Sequence, residues 1–443
     1  MQPLRKLLTK RVAATAAGLA AGFAVLGPIA ASAQMEAAMR HLSSDRVHRM
    51  HHAAHRLSAH HHRADMMRMA QMGPAGAAAA RIERMTQMER TLLVKRGEAI
   101  GLDLSPASRA ALDRLGYDVA RTETLGALGV TVDVIKTPRR KSVRKALAQL
   151  RKADPGGVYA PNTLFATQSG AAAAPGALDF ADDVELAPYA QGATVGLIDT
   201  GLDVSALGAP FASRVRAQRK FVPDDAVFAR PHGARVAMQA LAAGAGSVVV
   251  ADVFSSETGF ADAAAIARAL DWMAAQGVPV INLSLAGPPN VLVERAVASV
   301  VATGHVVVAA VGNEGPEETP LFPAAYPGVV GVTAVDADLA IYPKANAGPG
   351  VDIAAVGVGA PVGADASAVM GTSYAAPVVA GFLSERLAGP MLAGPVAGSE
   401  ALALSILRRH AIDLGPPGPD ERYGVGALPT ANAGGIRTAS AAR

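Results

Sequence analysis

The chain contains no cysteine among its 443 residues. That excludes disulfides, thiolate metal centres, a cysteine nucleophile and a lipid-modified cysteine anchor. Aromatic residues make up only 4%, so the core has to be built chiefly from Ala, Val and Leu. Charged residues are also sparse, at 18%, against 51% apolar ones. This is the balance of a globular chain, not a disordered one, and the length suffices for two or three domains with one large core. The net charge of +4 conceals an asymmetry. Residues 1–189 carry 26 Lys and Arg against 16 Asp and Glu, whereas residues 190–434 carry 13 against 21. No aromatics interleave with the basic residues, so no nucleic-acid partner is expected. The opposed signs predict instead that the two parts attract each other.

Residues 1–33 read as a signal peptide. Arg5, Lys6, Lys10 and Arg11 precede an Ala-rich stretch over 12–30, and Ala31-Ser32-Ala33 offers a small-x-small cleavage site. An uncleaved anchor is the alternative. Gly18, Gly22, Gly27 and Pro28 make the stretch only weakly lipophilic, so membrane contact is expected only during export, to a periplasmic or secreted destination. Residues 34–88 concentrate eight of the eleven histidines, between His41 and His62, and nine of the fourteen methionines. His48 and His52, and His51 and His55, are spaced i, i+4 and could share a helix face. Such side chains ligate soft metals, copper above all. The preferred reading is a solvated helical or disordered segment, and no metal site is predicted.

Residues 89–168 are expected to form a small α+β domain. A helix is predicted from Pro106 to Leu115, strands over 119–125 and 130–135, a basic helix over 142–152 and an extended piece over 157–165. This order suits a ferredoxin-like fold. Residues 169–189 read as a linker and 435–443 as a tail. From Gly192 onward short apolar runs (193–198, 248–254, 278–283, 306–310, 329–335) alternate with helical stretches (232–243, 262–276, 291–302). Strands apolar on both faces imply a parallel sheet covered on each side. A doubly wound α/β domain over 190–434 follows, with its ligand at the carboxyl ends of the strands.

Three motifs fall at such ends or at helix starts. Asp199 closes the run Val195-Gly-Leu-Ile-Asp199-Thr-Gly201, His232 opens a helix with Gly233, and Ser373 opens another within Gly371-Thr-Ser373-Tyr-Ala-Ala-Pro377. A serine hydroxyl needs a base to take its proton, and the base needs an orienting carboxylate. With these motifs, the order Asp, His, Ser resembles that of the subtilisin-like serine peptidase family, the subtilases. The resemblance covers about 190–434 and implies serine endopeptidase activity on polypeptides without a cofactor. Asp199 would orient, His232 would act as base and then acid, and Ser373 would attack. It further implies that Asn313, in Val306–Gly315, donates to an oxyanion. Ser284, Leu285, Ala286 and Gly287 would bind the substrate backbone, and Gly312 and Leu321 would line the site. Phe322-Pro323 is a candidate cis bond. Leu321, where the family often has Gly, predicts a shallow pocket and small side chains before the cut bond. Ala234, Met238 and Ala286 depart from the family pattern. The interval of 141 positions from His232 to Ser373 is short for the family, so loops that bind calcium elsewhere are expected to be missing and no calcium site is predicted. Residues 89–168 would be an inhibitory, chaperoning pro-segment. The rival readings are an inactive binding protein of the same fold and a periplasmic metal-handling protein working through residues 34–88. Gly-x-Ser-x-Gly is absent around Ser373, which argues against an esterase.

Overall fold

The structure, a computed structural model, describes residues 82–87, 90–167, 193–207, 209–222, 231–359, 369–388 and 399–429. All lie in one compact unit, 58–443. The expected signal peptide, the His/Met-rich stretch up to residue 81, the expected linker and the tail lie outside the described residues. Two sheets organise the fold.

The first sheet takes strands β1 (Ile82–Gln87), β2 (Arg90–Leu102), β3 (Asp118–Leu125), β4 (Val130–Lys136) and β5 (Val158–Thr167), with helices α1 (Pro106–Arg114) and α2 (Val143–Ala153). Strand order β5-β2-β4-β3, all antiparallel, is that of a ferredoxin-like βαββαβ unit. Both helices start as the sequence suggests. Ser105 Oγ accepts from Ser108 N–H at 3.0 Å, and Ser142 Oγ from Lys145 N–H at 3.3 Å. Val143, Ala146, Leu147 and Leu150 form the buried face of α2, which leaves Arg144, Lys145, Arg151 and Lys152 in water.

Two expectations are corrected here. Residues 82–87 are not part of a helical or disordered segment. They form β1 and pair with β2 from Ile82↔Lys95 to Gln87↔Arg90, with Met85 buried. The first helix is also not the first element of its domain. The 13-residue β2 precedes it and supplies the central strand that the helix–strand–strand–helix–strand reading lacked. The interruptions Lys95 and Glu98 hide it in the sequence, because their charges find partners only once neighbouring elements are in place.

The second sheet runs β14 (Ile353–Val356), β13 (Val329–Val335), β12 (Val306–Ala310), β10 (Val280–Leu283), β6 (Thr194–Asp199), β8 (Ser247–Asp252) and β7 (Val215–Lys220), every pair parallel. Side chains alternate to the two faces. Ile198, Val249, Ala251, Ile281, Leu283, Val307 and Ala309 point to α4 (Ala263–Ala275) and α5 (Val291–Ala302). Val195, Leu197, Val248, Val250, Val280, Val306 and Val308 point to α3 (Pro231–Ala242) and α6 (Thr372–Leu387). This is the predicted doubly wound α/β architecture. The poverty in aromatics is met by alanine. Ala263, Ala264, Ala265, Ala267 and Ala269 are all buried in α4, and small side chains let helices lie close to the sheet.

The close approach of two helices sets the site. A Cβ on Gly381 would fall 2.2 Å from the Ala240 carbonyl oxygen, so α3 and α6 touch backbone to backbone there. These two helices carry His232 and Ser373 near their N-termini, and both N-termini lie at the carboxyl end of the parallel sheet.

Candidate active site

Asp199 is the last residue of β6 and is fully buried. Its Oδ1 accepts from the Thr200 N–H at 2.6 Å and from the Thr200 hydroxyl at 3.2 Å. The same oxygen lies 2.7 Å from His232 Nδ1. A carboxylate can only accept, so Nδ1 carries the proton and the lone pair of a neutral imidazole sits on Nε2. His232 is the second residue of α3, after Pro231 at a position where a missing N–H costs nothing. Gly233 follows because the turn after Asp199 presses on the helix start. Its N–H donates to Thr200 Oγ1 at 3.0 Å, and a Cβ there would meet the Thr200 carbonyl oxygen at 2.4 Å. The histidine ring lies against Tyr374, with centroids 5.2 Å apart.

Ser373 sits in the first turn of α6 behind Gly371, whose φ of 147° suits only glycine. Its hydroxyl donates to the Ser284 carbonyl at 3.1 Å. Among the described residues, His232 Nε2 has no hydrogen-bond partner. The structure therefore links Asp199 to His232 and sets Tyr374, next in sequence to Ser373, against the imidazole.

Asn313 follows β12 in the loop Gly312–Gly315. Its Oδ1 accepts from the Thr372 N–H and the Thr372 hydroxyl, both at 3.1 Å. This fixes the amide beside Ser373 with its oxygen engaged and Nδ2 as the donating end. Gly312 N–H in turn donates to Thr372 Oγ1 at 3.3 Å. Asn346 braces the loop from below, accepting from the Glu314 N–H at 2.7 Å and donating to the Thr319 carbonyl at 2.9 Å. Sequence reasoning missed Thr372, Tyr374 and Asn346. The first two adjoin Ser373 and could have been weighed, but nothing marks Asn346 in the sequence.

The stretch Ser284–Gly287 lies beside Ser373. Ser284 is turned inward, and its hydroxyl donates to the Ser373 carbonyl at 2.8 Å while accepting from Asn282 Nδ2 at 2.9 Å. Its side-chain hydroxyl thus serves Ser373. Leu285 and Ala286 form β11, and their backbones are already paired antiparallel to Thr167 and Ala166 of β5. The other edge of β5 pairs with β9 (Ala261–Asp262), through Leu164↔Asp262 and Phe165↔Ala261. Phe165 is fully buried and lies on Gly287 within the core cluster of Phe254, Leu285 and Leu292. Gly287 is bridged to Phe322 by hydrogen bonds of 2.9 and 3.1 Å. Leu321 is half-buried on the same segment, and the Phe322–Pro323 peptide is cis.

Further contacts hold the first sheet over α4 and α5. Asn290 Nδ2 donates to the Pro161 carbonyl at 2.9 Å and to Thr163 Oγ1 at 2.7 Å. Asp271 Oδ1 accepts from Ala127 and Leu128 N–H at 2.8 and 3.2 Å. Among the described residues three ion pairs cross between the two parts, Lys95–Asp262, Glu123–Arg268 and Asp103–Arg295. In two of them the N-terminal part supplies the acid. Local pairs of both signs align this contact, and most of the excess base on α2 points to solvent.

A parallel sheet with an Asp–His pair, a serine at a helix start and an anchored Asn at its carboxyl end defines a subtilisin-like site. The chain matches the family model described as "Subtilase family" over residues 190–426. It belongs to the subtilase family. It is 33% identical over 183 residues to halolysin of Haloferax mediterranei, covering 40% of this chain and 34% of halolysin. It is 38% identical over 120 residues to subtilisin BL of Lederbergia lenta, covering 26% of this chain and 44% of that protein. The match to halolysin thus spans about a third of its length, and that to subtilisin BL under half. Fervidolysin of Fervidobacterium pennivorans, a keratinolytic enzyme related to subtilisin, shares the fold with a TM-score of 0.61 at 18% identity, over 76% of this chain and 60% of that one. Among the described residues no three or more His, Asp or Glu side chains gather as a metal ion would need, and no helix is long and apolar enough to cross a membrane.

Proposed function

We propose that this chain is an exported serine endopeptidase, made as a precursor whose residues 89–168 fold onto and block its own groove. The observation that carries the reading is the buried Asp199–His232 pair at 2.7 Å, with Tyr374, next in sequence to Ser373, against the imidazole. A peptide lying along Leu285 and Ala286 would bring its carbonyl carbon to Ser373. His232 Nε2 would take the hydroxyl proton as the Oγ–C bond forms. The carbonyl oxygen would then become an anion facing Asn313 Nδ2 and the Ser373 N–H at the α6 N-terminus, both donors preset for it. His232 would return the proton to the leaving amine, and water would repeat the sequence on the acyl-enzyme. Asp199, held by Thr200, would keep the imidazole in one tautomer throughout. The chemistry needs no cofactor.

Self-inhibition rests on β5, which occupies the substrate's place on β11 while Phe165 fills the adjoining apolar recess. The export signal and pro-segment roles follow from sequence order and this contact. A second reading, an inactive binding protein, is favoured by one feature, the Ser373 hydroxyl turned to Ser284 and not to His232. Profiling a peptide library with the protein and its Ser373→Ala variant separates the two. Cleavage that vanishes with Ser373→Ala is the expected result. No cleavage by either, or equal cleavage by both, overturns the proposal. The same profile tests the shallow pocket at Leu321, which large aromatic residues before the cut bond would contradict.

A further inference from the structure

We infer that Asp262 is a subsite for a cationic side chain, so that this groove prefers peptides with Lys or Arg at the position Leu164 takes. The inference rests on the peptidase reading above and names part of its substrate class. Strand β9 forms the wall of the groove opposite β11, and Asp262 is paired directly across from Leu164. Residues directly opposite in an antiparallel ladder project to the same face, with Cβ atoms about 5 Å apart. A long side chain at that position therefore reaches the Asp262 carboxylate.

The two oxygens of that carboxylate have different tasks. Oδ1 caps α4, accepting from the Ala265 N–H at 2.8 Å. Oδ2 takes the ammonium of Lys95 at 3.0 Å, and Lys95 also meets Glu98 at 3.3 Å. Lys95 belongs to β2, so it leaves with the N-terminal part whenever the groove opens. Its ammonium already shows what the site accepts: a primary amine on a flexible stem, brought in beside the strand that fills the groove. Burial pushes the Asp262 carboxyl up, but Lys95, Arg268 and the Ala265 N–H outweigh this and hold it below the ordinary carboxylate range. It is an anion in the closed state and stays one in water.

A second cation stays behind after opening. Arg268 faces Asp262, but its guanidinium is tied to the Phe221 carbonyl at 2.6 Å and loses Glu123 with the N-terminal part. Were Arg268 to swing onto Asp262, a substrate cation would gain nothing, and that is the alternative the test must separate. Lys95 is not needed for catalysis on this account. It is a stand-in for the substrate's own charge.

The test uses enzyme matured from the full chain and three quenched fluorogenic peptides of sequence Pro-Asn-Thr-Xaa-Phe-Ala-Thr-Gln-Ser-Gly, the chain's own residues 161–170, with Xaa as Lys, norleucine or Glu. The expected order of kcat/KM is Lys, norleucine, Glu, with Lys over Glu by about 10-fold at low salt and by under about 3-fold in 1 M NaCl. In Asp262→Asn, which keeps the α4 cap because Asn caps as well as Asp, the preference should collapse in the same way. Equal rates for the three peptides in the unmodified enzyme overturn the inference, as does a Lys preference that survives Asp262→Asn. If none of the three is cleaved and library profiling also fails, the peptidase reading itself falls, and this inference with it.

Discussion

Truncating Phe165 to alanine should open the groove without touching a catalytic group. Phe165 is fully buried, lies on Gly287 and joins Phe254, Leu285 and Leu292 in the core. The β5 backbone keeps its ladder with β11 and β9 in the variant, so the loss is confined to the ring. Deleting a buried phenylalanine side chain costs about 3–5 kcal/mol. Because the ring sits on the catalytic side of β5, most of that loss falls on docking. At about 3 kcal/mol, and a factor of ten for each 1.4, the open population rises about 100-fold. The assay is the rate at which a four-residue peptidyl phosphonate, long enough to need the groove, labels Ser373 in the purified full chain, nicked or intact. Ser373→Ala is the blank. Phe165→Leu, which keeps most of the volume, should accelerate labelling by only a few-fold, about 1 kcal/mol, and guards against a folding defect in the alanine variant. A labelling rate for Phe165→Ala within about 3-fold of the unmodified chain would refute the claim that β5 and its phenylalanine close the site.

Asn313→Ala should lower kcat by about 10²–10³ with little change in KM, since its amide serves only the developing oxyanion. A KM effect without a kcat effect would reassign it to ground-state binding. Gly233→Ala should destabilise the fold by about 2 kcal/mol and depress kcat, because the added methyl meets the Thr200 carbonyl at 2.4 Å and displaces the start of the helix that carries His232. Thermal melting and steady-state kinetics read the two effects. Burial raises the Asp352 carboxyl above its ordinary value, and its one hydrogen bond, from the Gly331 N–H at 2.8 Å, offsets this only in part. A pKa higher in the folded state favours folding below the ordinary carboxylate value of about 3.9, and the advantage is lost as pH rises through the raised value. Asp352→Asn should therefore raise Tm at pH 7 and match the unmodified chain near pH 4. The same gain at both pH values would show that the charge is not the cause.

Much of the candidate site is legible in the order of residues alone. Asp199 announces itself as the end of an apolar strand run, His232 and Ser373 as helix starts, and five of the seven strands of the parallel sheet as short Val-rich stretches. The two edge strands do not. Val215-Arg-Ala-Gln-Arg-Lys220 reads as solvated loop because an edge strand needs few apolar residues, and only pairing with β8 makes it a strand. The four-residue β14 is too short to signal itself. The 13-residue β2 escapes notice because its polar positions are satisfied by distant groups, Lys95 by Asp262 above all.

What the residues by themselves determined are the properties that depend on near neighbours: strand and helix periods, caps at Ser105 and Ser142, the Gly233 and Gly371 turns, and the order of the three motif residues. What only the tertiary structure decided depends on chain segments that meet from far apart. The Ser373 hydroxyl rests on Ser284, the Asn313 amide is turned by Thr372, and the strand ending at Thr167 pairs with Leu285 and Ala286. The docking contact shows the physical reason. Summed charge is a property of composition, whereas a hydrogen bond or ion pair such as Lys95–Asp262 or Asp103–Arg295 is decided within a few ångströms.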